Sequence, residues 1–300
     1  MKILLVGFGN QGKKRWKTFR NNIVATVDKF YSGADFKNYK DVPLDMYNAV
    51  VCCVPDKEKF NQVKFFLNNK KHVMLEKPFL VKDLKQLSKI NHITKINKVC
   101  CYVAYNHRFE PSLKFLKKYL DEKKIGKIYY CNFFYGNGTS YEVKRSIWKD
   151  KAKGVAYDLG SHLIDYSYFL FNQDFKFKKR SNYLHENKSN DHSYFYSENK
   201  NIKISCEVNL LTWKNNCRFE VVGSKGRIIV DSLQKWGGSK FSFQIRKFPS
   251  GIPKEKIFHF KGKDPTWKNE AKYFIKLIQN KKLGNIDKEL KILKNLKKIV

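Results

Sequence analysis

The sequence has little arginine and little acid. Eight arginines stand among 61 basic residues, and 27 Asp and Glu leave a formal net charge of +34 at pH 7. Proteins that read nucleic acid usually concentrate Arg, whose planar fork binds phosphates and bases bidentately. Here the charge sits on lysines scattered over every segment beside abundant Asn, Ile, Phe and Tyr, and no nucleic-acid motif accompanies them. Nucleic acid is therefore not the expected partner, although charge alone leaves a binder of anionic surfaces open. No stretch of 18 apolar residues is present, so no membrane span is expected. The apolar run at residues 2–6 breaks at Gly7, with no small-residue cleavage site before Lys13-Lys14-Arg15, so a secretory signal is not expected either. The seven cysteines are odd in number, and the pairs Cys52-Cys53 and Cys100-Cys101 lack the two-residue spacing of a zinc knuckle. Both pairs lie in Val-rich runs and read as small buried hydrophobes of a cytoplasmic protein.

What is present is enough for real cores. A chain of 300 residues with 42% hydrophobic and 15% aromatic content exceeds one comfortable core, so two domains are expected. Buried strands read at residues 2–6, 23–27, 49–54, 72–75 and 99–104, with helices at 13–19, 57–69 and 82–90 between them. This alternation predicts a doubly wound parallel sheet covered on both faces. After about residue 120 the texture changes. Strands around 126–135, 192–210, 216–222, 226–231 and 240–247 follow without intervening helices, and Gly223 to Gly226 gives a hairpin signal. An open, mostly antiparallel sheet is expected there, with helices at 157–171 and 267–280. The expected division is 1–120, 121–284, and a closing helix at 285–300 packed back on the first domain.

Gly7-Phe8-Gly9-Asn10-Gln11-Gly12 matches the G-x-G-x-x-G pattern between a buried strand and a helix, and the acid Asp28 follows 21 positions beyond Gly7. Gly7 permits the tight turn, Gly9 lets backbone approach a pyrophosphate, and Gly12 lets helix and strand pack closely. The helix N-terminus adds N–H groups and positive potential. Asp28 is placed to accept hydrogen bonds from the ribose hydroxyls and would repel a 2′-phosphate, which favours NAD; Lys29 beside it keeps NADP open. Glu76-Lys77-Pro78 follows another strand end, at the edge where open parallel sheets bind ligands, yet a lysine in so lysine-rich a chain carries little weight alone. Asp158 and His162 stand four apart, on one face of a helix, where an acid could orient the imidazole for proton transfer. Helix capping by Asp158 and a satisfied buried His162 explain the same letters. A metal site using His162 with Asp158 or Asp165 is not expected, for want of a companion His or Cys cluster.

Together these segments, with Val50 to Asp56 and Tyr105-Asn106-His107-Arg108-Phe109, resemble the Gfo/Idh/MocA family of oxidoreductases over most of the chain. The EKP and D-L-G-S-H pieces in this order are the specific part. The resemblance implies a Rossmann domain followed by an α/β domain whose open sheet often makes dimer or tetramer contacts. It implies hydride transfer between a nicotinamide and a carbon of a sugar or cyclitol. By that analogy Lys77 handles the proton or orients substrate, His162 is the acid/base and Asp158 its partner. Asn106 and Trp148 would lie near the nicotinamide, and Cys53, Pro55 and Glu76 border the cofactor. The run Tyr135 to Thr139, with Trp148, resembles members of surface-polysaccharide or nucleotide-sugar pathways. Two departures concern subfamily rather than class: Phe60 stands where many members carry a histidine, and Lys13 to Arg15 makes the first helix unusually basic. A cofactor-sensing protein of the same fold is the alternative from another class.

Overall fold

The computed structural model describes residues 1–146, 150, 153–199 and 201–300, so Trp148 lies outside the described residues. The chain divides into two compact units, 1–106 with 267–293 and 107–266 with 294–300.

In the first unit, β1 (Ile3–Val6), β2 (Ile23–Val27), β3 (Ala49–Cys52), β4 (His72–Glu76) and β5 (Cys101–Ala104) form a parallel sheet in the order β2-β1-β3-β4-β5. Every residue of β1, β3 and β5 is buried, as continuous apolar runs require when helices cover both faces. Beyond β2 the sheet continues as a single parallel bridge between Val27 and Phe36. Counting that bridge as a strand gives the doubly wound dinucleotide-binding order, with the direction of winding reversing between β1 and β3. The helices α1 (Asn10–Phe19), α2 (Asp56–Asn68) and α3 (Leu84–Ile96) make the crossovers.

The helix Thr266–Gln279, expected with the second domain, belongs almost entirely to the first unit. Its Ala271 and Phe274 are buried with Ile3, Leu5, Met74 and Tyr102. An amphipathic helix covers whichever apolar sheet face lacks cover, and position along the chain does not reveal which face that is. The boundary at Asn106 likewise precedes the expected one at 120. In the closing helix Ile286–Ile299, Glu289 accepts hydrogen bonds from the Phe79 N–H and the Tyr105 hydroxyl, while residues 294–300 belong to the second unit.

The second unit carries β6 (Ile128–Gly136), β7 (Lys178–Tyr183), β8 (His192–Glu198), β9 (Lys203–Asn209), β10 (Asn216–Gly223), β11 (Gly226–Asp231), β12 (Ser239–Ile245) and β13 (Lys254–Phe260). They form one sheet in the order β13-β12-β11-β10-β6-β9-β8-β7, antiparallel except for the parallel pair β6 and β9. Alternating burial along β8, β9 and β10 shows one covered face. The region 192–210 resolves into the two antiparallel strands β8 and β9. Both edge strands escape sequence reading: β7 is Lys-Lys-Arg-Ser-Asn-Tyr, and most of β13 is exposed. The helix α4 (Pro111–Asp121) packs Phe115 and Tyr119 against Phe241 of β12 and Phe258 of β13.

Candidate active site

The glycine turn closes the switch point of the first sheet. Gly7 has φ +89°, and a Cβ there would stand 2.8 Å from the Cys53 carbonyl oxygen. A Cβ on Gly12 would stand 1.9 Å from the Gly7 oxygen. Protein packing alone requires these two glycines. Gly9 is different, because its backbone is extended and a Cβ would meet nothing within 4 Å among the described residues. Helix α1 begins at the next residue, Asn10, with no side-chain cap and no acid in its first turn. The turn therefore combines open space, uncapped N–H groups and the positive helix end, a set that fits a pyrophosphate. Asn10 and Gln11 are exposed beside it.

Asp28 is built into the same turn. One carboxylate oxygen accepts the Phe8 N–H at 2.6 Å, and the other accepts the N–H groups of Phe30 and Tyr31, each at 2.8 Å. Partial burial pushes this carboxyl up, but the three backbone donors and nearby Lys37 outweigh it and hold it below the usual carboxylate range. Phe8 stacks on Tyr31 with ring centroids 4.6 Å apart. Lys29 is exposed, with Nζ 3.7 Å from Glu58. Cys53 lies behind Gly7, and burial with Glu76 nearby pushes its thiol up, so it is a neutral wall rather than a nucleophile. Pro55 caps α2 at its N-terminus.

Lys77 follows β4 in a segment held by charged side chains, and its bond to Pro78 is cis. The Glu76 carboxylate, expected to border the cofactor, accepts from Arg15 at 2.6 Å. Arg15 is buried, reaches Glu270 at 2.8 Å and lies over the Trp267 ring at 4.4 Å. Burial works against its charge, and the two carboxylates outweigh that. Asn106 is buried at the start of the turn Asn106–Phe109.

In the second unit His162 is buried and stacks on His107, with centroids 4.0 Å apart and planes 11° apart. Tyr135 packs 6.0 Å from His162 and 5.4 Å from Trp236. Lys235 Nζ contacts His107 Nε2. The Tyr166 hydroxyl, beside both rings, has no hydrogen-bond partner among the described residues. Glu110 accepts the Gln234 N–H at 3.0 Å, and burial raises its carboxyl to about 7 even with Lys235 nearby. Arg108 forms a buried two-bond ion pair with Asp165, one turn after His162, which gives Asp165 a partner other than a metal. The stretch Ala156–Gly160 is a π-helix, and His162 begins the α-helix Ser161–Phe171 beyond it. Asp158 is exposed on that π turn while His162 is buried. The uniform α-helical spacing behind the expected pairing does not hold through this segment. Among the described residues no group of three or more His, Cys, Asp or Glu is arranged to hold a metal ion.

Sequence reading gave no role to His107, Lys235, Trp236 or Lys59. His107 lies inside the motif Tyr105 to Phe109, so a local signal exists. Lys235 and Lys59 were hidden among the other lysines, and only tertiary contacts single them out.

Comparison with known proteins agrees with this geometry. Residues 1–105 match the oxidoreductase family with an NAD-binding Rossmann fold, GFO_IDH_MocA, and residues 113–229 match the GFO/IDH/MocA C-terminal domain. Glucose-6-phosphate 3-dehydrogenase of Bacillus subtilis (strain 168) is 26% identical over 66% of this chain, a match spanning 61% of that relative's own length. The scyllo-inositol 2-dehydrogenase (NADP(+)) of the same organism is 25% identical over 80% of this chain and 71% of its own. The solved structure of an oxidoreductase from Agrobacterium radiobacter in complex with NAD+, L-tartaric acid and magnesium superposes with TM-score 0.81 at 14% identity, covering 100% of this chain and 95% of that one. With both of its domains matched in order and the glycine turn formed as its Rossmann domain requires, this chain belongs to the Gfo/Idh/MocA oxidoreductase family.

Proposed function

We propose that the protein is an NAD(H)-dependent dehydrogenase or reductase acting on a secondary hydroxyl or ketone carbon of a sugar, cyclitol or nucleotide sugar. The observation that carries the reading is Gly9: it is the glycine of the turn that the protein's own packing does not demand, and the space beside it lies at an uncapped helix N-terminus. Gly7 to Gly12 would hold the pyrophosphate, and Asp28 the ribose. The bound nicotinamide supplies or accepts the hydride. His162 takes or returns the hydroxyl proton at a ring nitrogen, the acid/base role an imidazole can fill. Lys77 Nζ orients the substrate oxygen or shares the proton, and Asp158 supports the histidine. Asn106 borders the nicotinamide end.

Two of the relatives are named for a sugar phosphate and a cyclitol, which supports a polyhydroxylated ring as substrate. One is named for NADP(+), and Lys29 leaves room for that cofactor here. Seven free cysteines, six of them buried, support a reducing cytoplasm, and a homo-oligomer through the open eight-stranded sheet of the second unit is proposed by resemblance to the family. The test is a screen of sugars, cyclitols, sugar phosphates and nucleotide sugars for NADH formation, with His162→Ala and Lys77→Ala as controls. Turnover that falls about a hundredfold or more in His162→Ala supports the assignment; turnover left unchanged overturns it. Tight NADH binding without turnover on any compound points instead to a cofactor sensor.

A further inference from the structure

We infer that Lys59 is a positioning residue for Lys77, its buried ammonium holding the two backbone carbonyls that flank that lysine. The inference rests on the proposed role of Lys77. Lys59 lies on α2 and is 4% exposed. Its Nζ donates to the Glu76 carbonyl at 2.9 Å and to the Pro78 carbonyl at 3.2 Å, and stands 2.7 Å from the Asp56 carboxylate one turn earlier. An ammonium has three N–H groups, and these three acceptors use them all. The same face of α2 buries Val63, Phe66 and Leu67, so an apolar side chain would serve packing equally well. A lysine there instead carries a desolvation cost that only converging acceptors offset.

The acceptors are what give the contact its meaning. Peptide groups are planar, so fixing the Glu76 carbonyl fixes the nitrogen of Lys77, and fixing the Pro78 carbonyl fixes the chain one residue beyond. Lys77 is thereby held from both sides. Arg15 binds the Glu76 side chain, and Glu289 binds the Phe79 N–H, so the segment is anchored on each flank by a different element. Lys59 spans the lysine itself. Catalytic geometry is sensitive to displacements of about 1 Å, which can cost about a hundredfold in rate.

The experiment compares Lys59→Met, Lys59→Arg and Lys77→Ala by amide hydrogen exchange over residues 76–81, NADH affinity, and kcat and KM separately. Lys59→Met should raise exchange in this segment about tenfold or more and lower kcat by about ten- to a hundredfold. KM and NADH affinity should stay within about twofold. Lys59→Arg, which keeps charge and donors, should restore most of both losses. Unchanged exchange in Lys59→Met overturns the clamp whatever turnover does. Raised exchange with unchanged kcat, where Lys77→Ala does lower kcat, overturns the positioning role. If Lys77→Ala leaves turnover intact, the reading of Lys77 fails, and the clamp is then judged on exchange alone. Should the methionine variant not fold, Lys59→Gln, which loses the charge and one of the three donors, takes its place: exchange raised about threefold or more supports the clamp, and unchanged exchange overturns it.

Discussion

The Asp28 carboxylate accepts the backbone N–H of Phe8 at 2.6 Å, which makes the acid at the end of β2 a structural member of the glycine turn as well as a candidate ribose ligand. Its other oxygen is shared by the N–H groups of Phe30 and Tyr31. Asp28→Ala should therefore do more than relax cofactor choice. Stability should fall by about 1–2 kcal/mol as backbone donors lose their acceptor, and the kcat/KM ratio of NAD to NADP should fall as well. Thermal unfolding and the two cofactor titrations check this; an unchanged Tm would show that the turn does not depend on the acid. Because the carboxyl is held below its ordinary value of 3.8, its contribution is present at neutral pH and is lost only as pH falls through that lower value.

The three glycines should separate by variant. Gly9→Ala places a methyl where none of the described residues lies within 4 Å, so Tm should hold while the NADH dissociation constant rises about tenfold or more. Gly12→Ala drives a Cβ to 1.9 Å from the Gly7 oxygen and should cost about 3 kcal/mol or more of stability. Calorimetry and NADH fluorescence titration distinguish the two. An alanine at Gly9 that binds NADH like the parent would remove the cradle from the proposed function.

Glu270 gives a pH signature. Burial, with Glu76 adding to it and Arg15 opposing, raises its carboxyl from 4.5 to about 7. Between those values the folded protein binds a proton that the unfolded chain does not. The group's contribution is full below 4.5 and is lost as pH rises through about 7. Stability of the parent relative to Glu270→Gln should thus decline from about pH 5 to about pH 8, by on the order of 3 kcal/mol at most. Chemical denaturation at several pH values measures it; a difference flat across this range would show that Glu270 titrates as an ordinary carboxyl.

Much of the first unit was legible because fully buried parallel strands leave continuous apolar runs, and turn glycines leave a spaced pattern. The edge strands β7 and β13 were not, since their residues lack the alternation of a half-buried sheet. The helix at 157–171 was legible as helix, but its π-helical opening at Ala156–Gly160 was not, because winding within a helix depends on packing around it. His162 was found from its motif, whereas its stacking on His107 joins residues 55 positions apart and left no local trace.

By itself the sequence determined the parallel sheet, the glycine turn and its acid, and the motifs that place the chain in its family, because each is a local pattern imposed by backbone geometry or periodic burial. The tertiary structure decided which lysine, among 53, lies beneath the Lys77 segment, which arginine binds Glu76, and which unit takes the helix Thr266–Gln279. Those choices depend on where buried charges find acceptors and apolar faces find cover. Such partners are distant in the chain, so no local spacing records them.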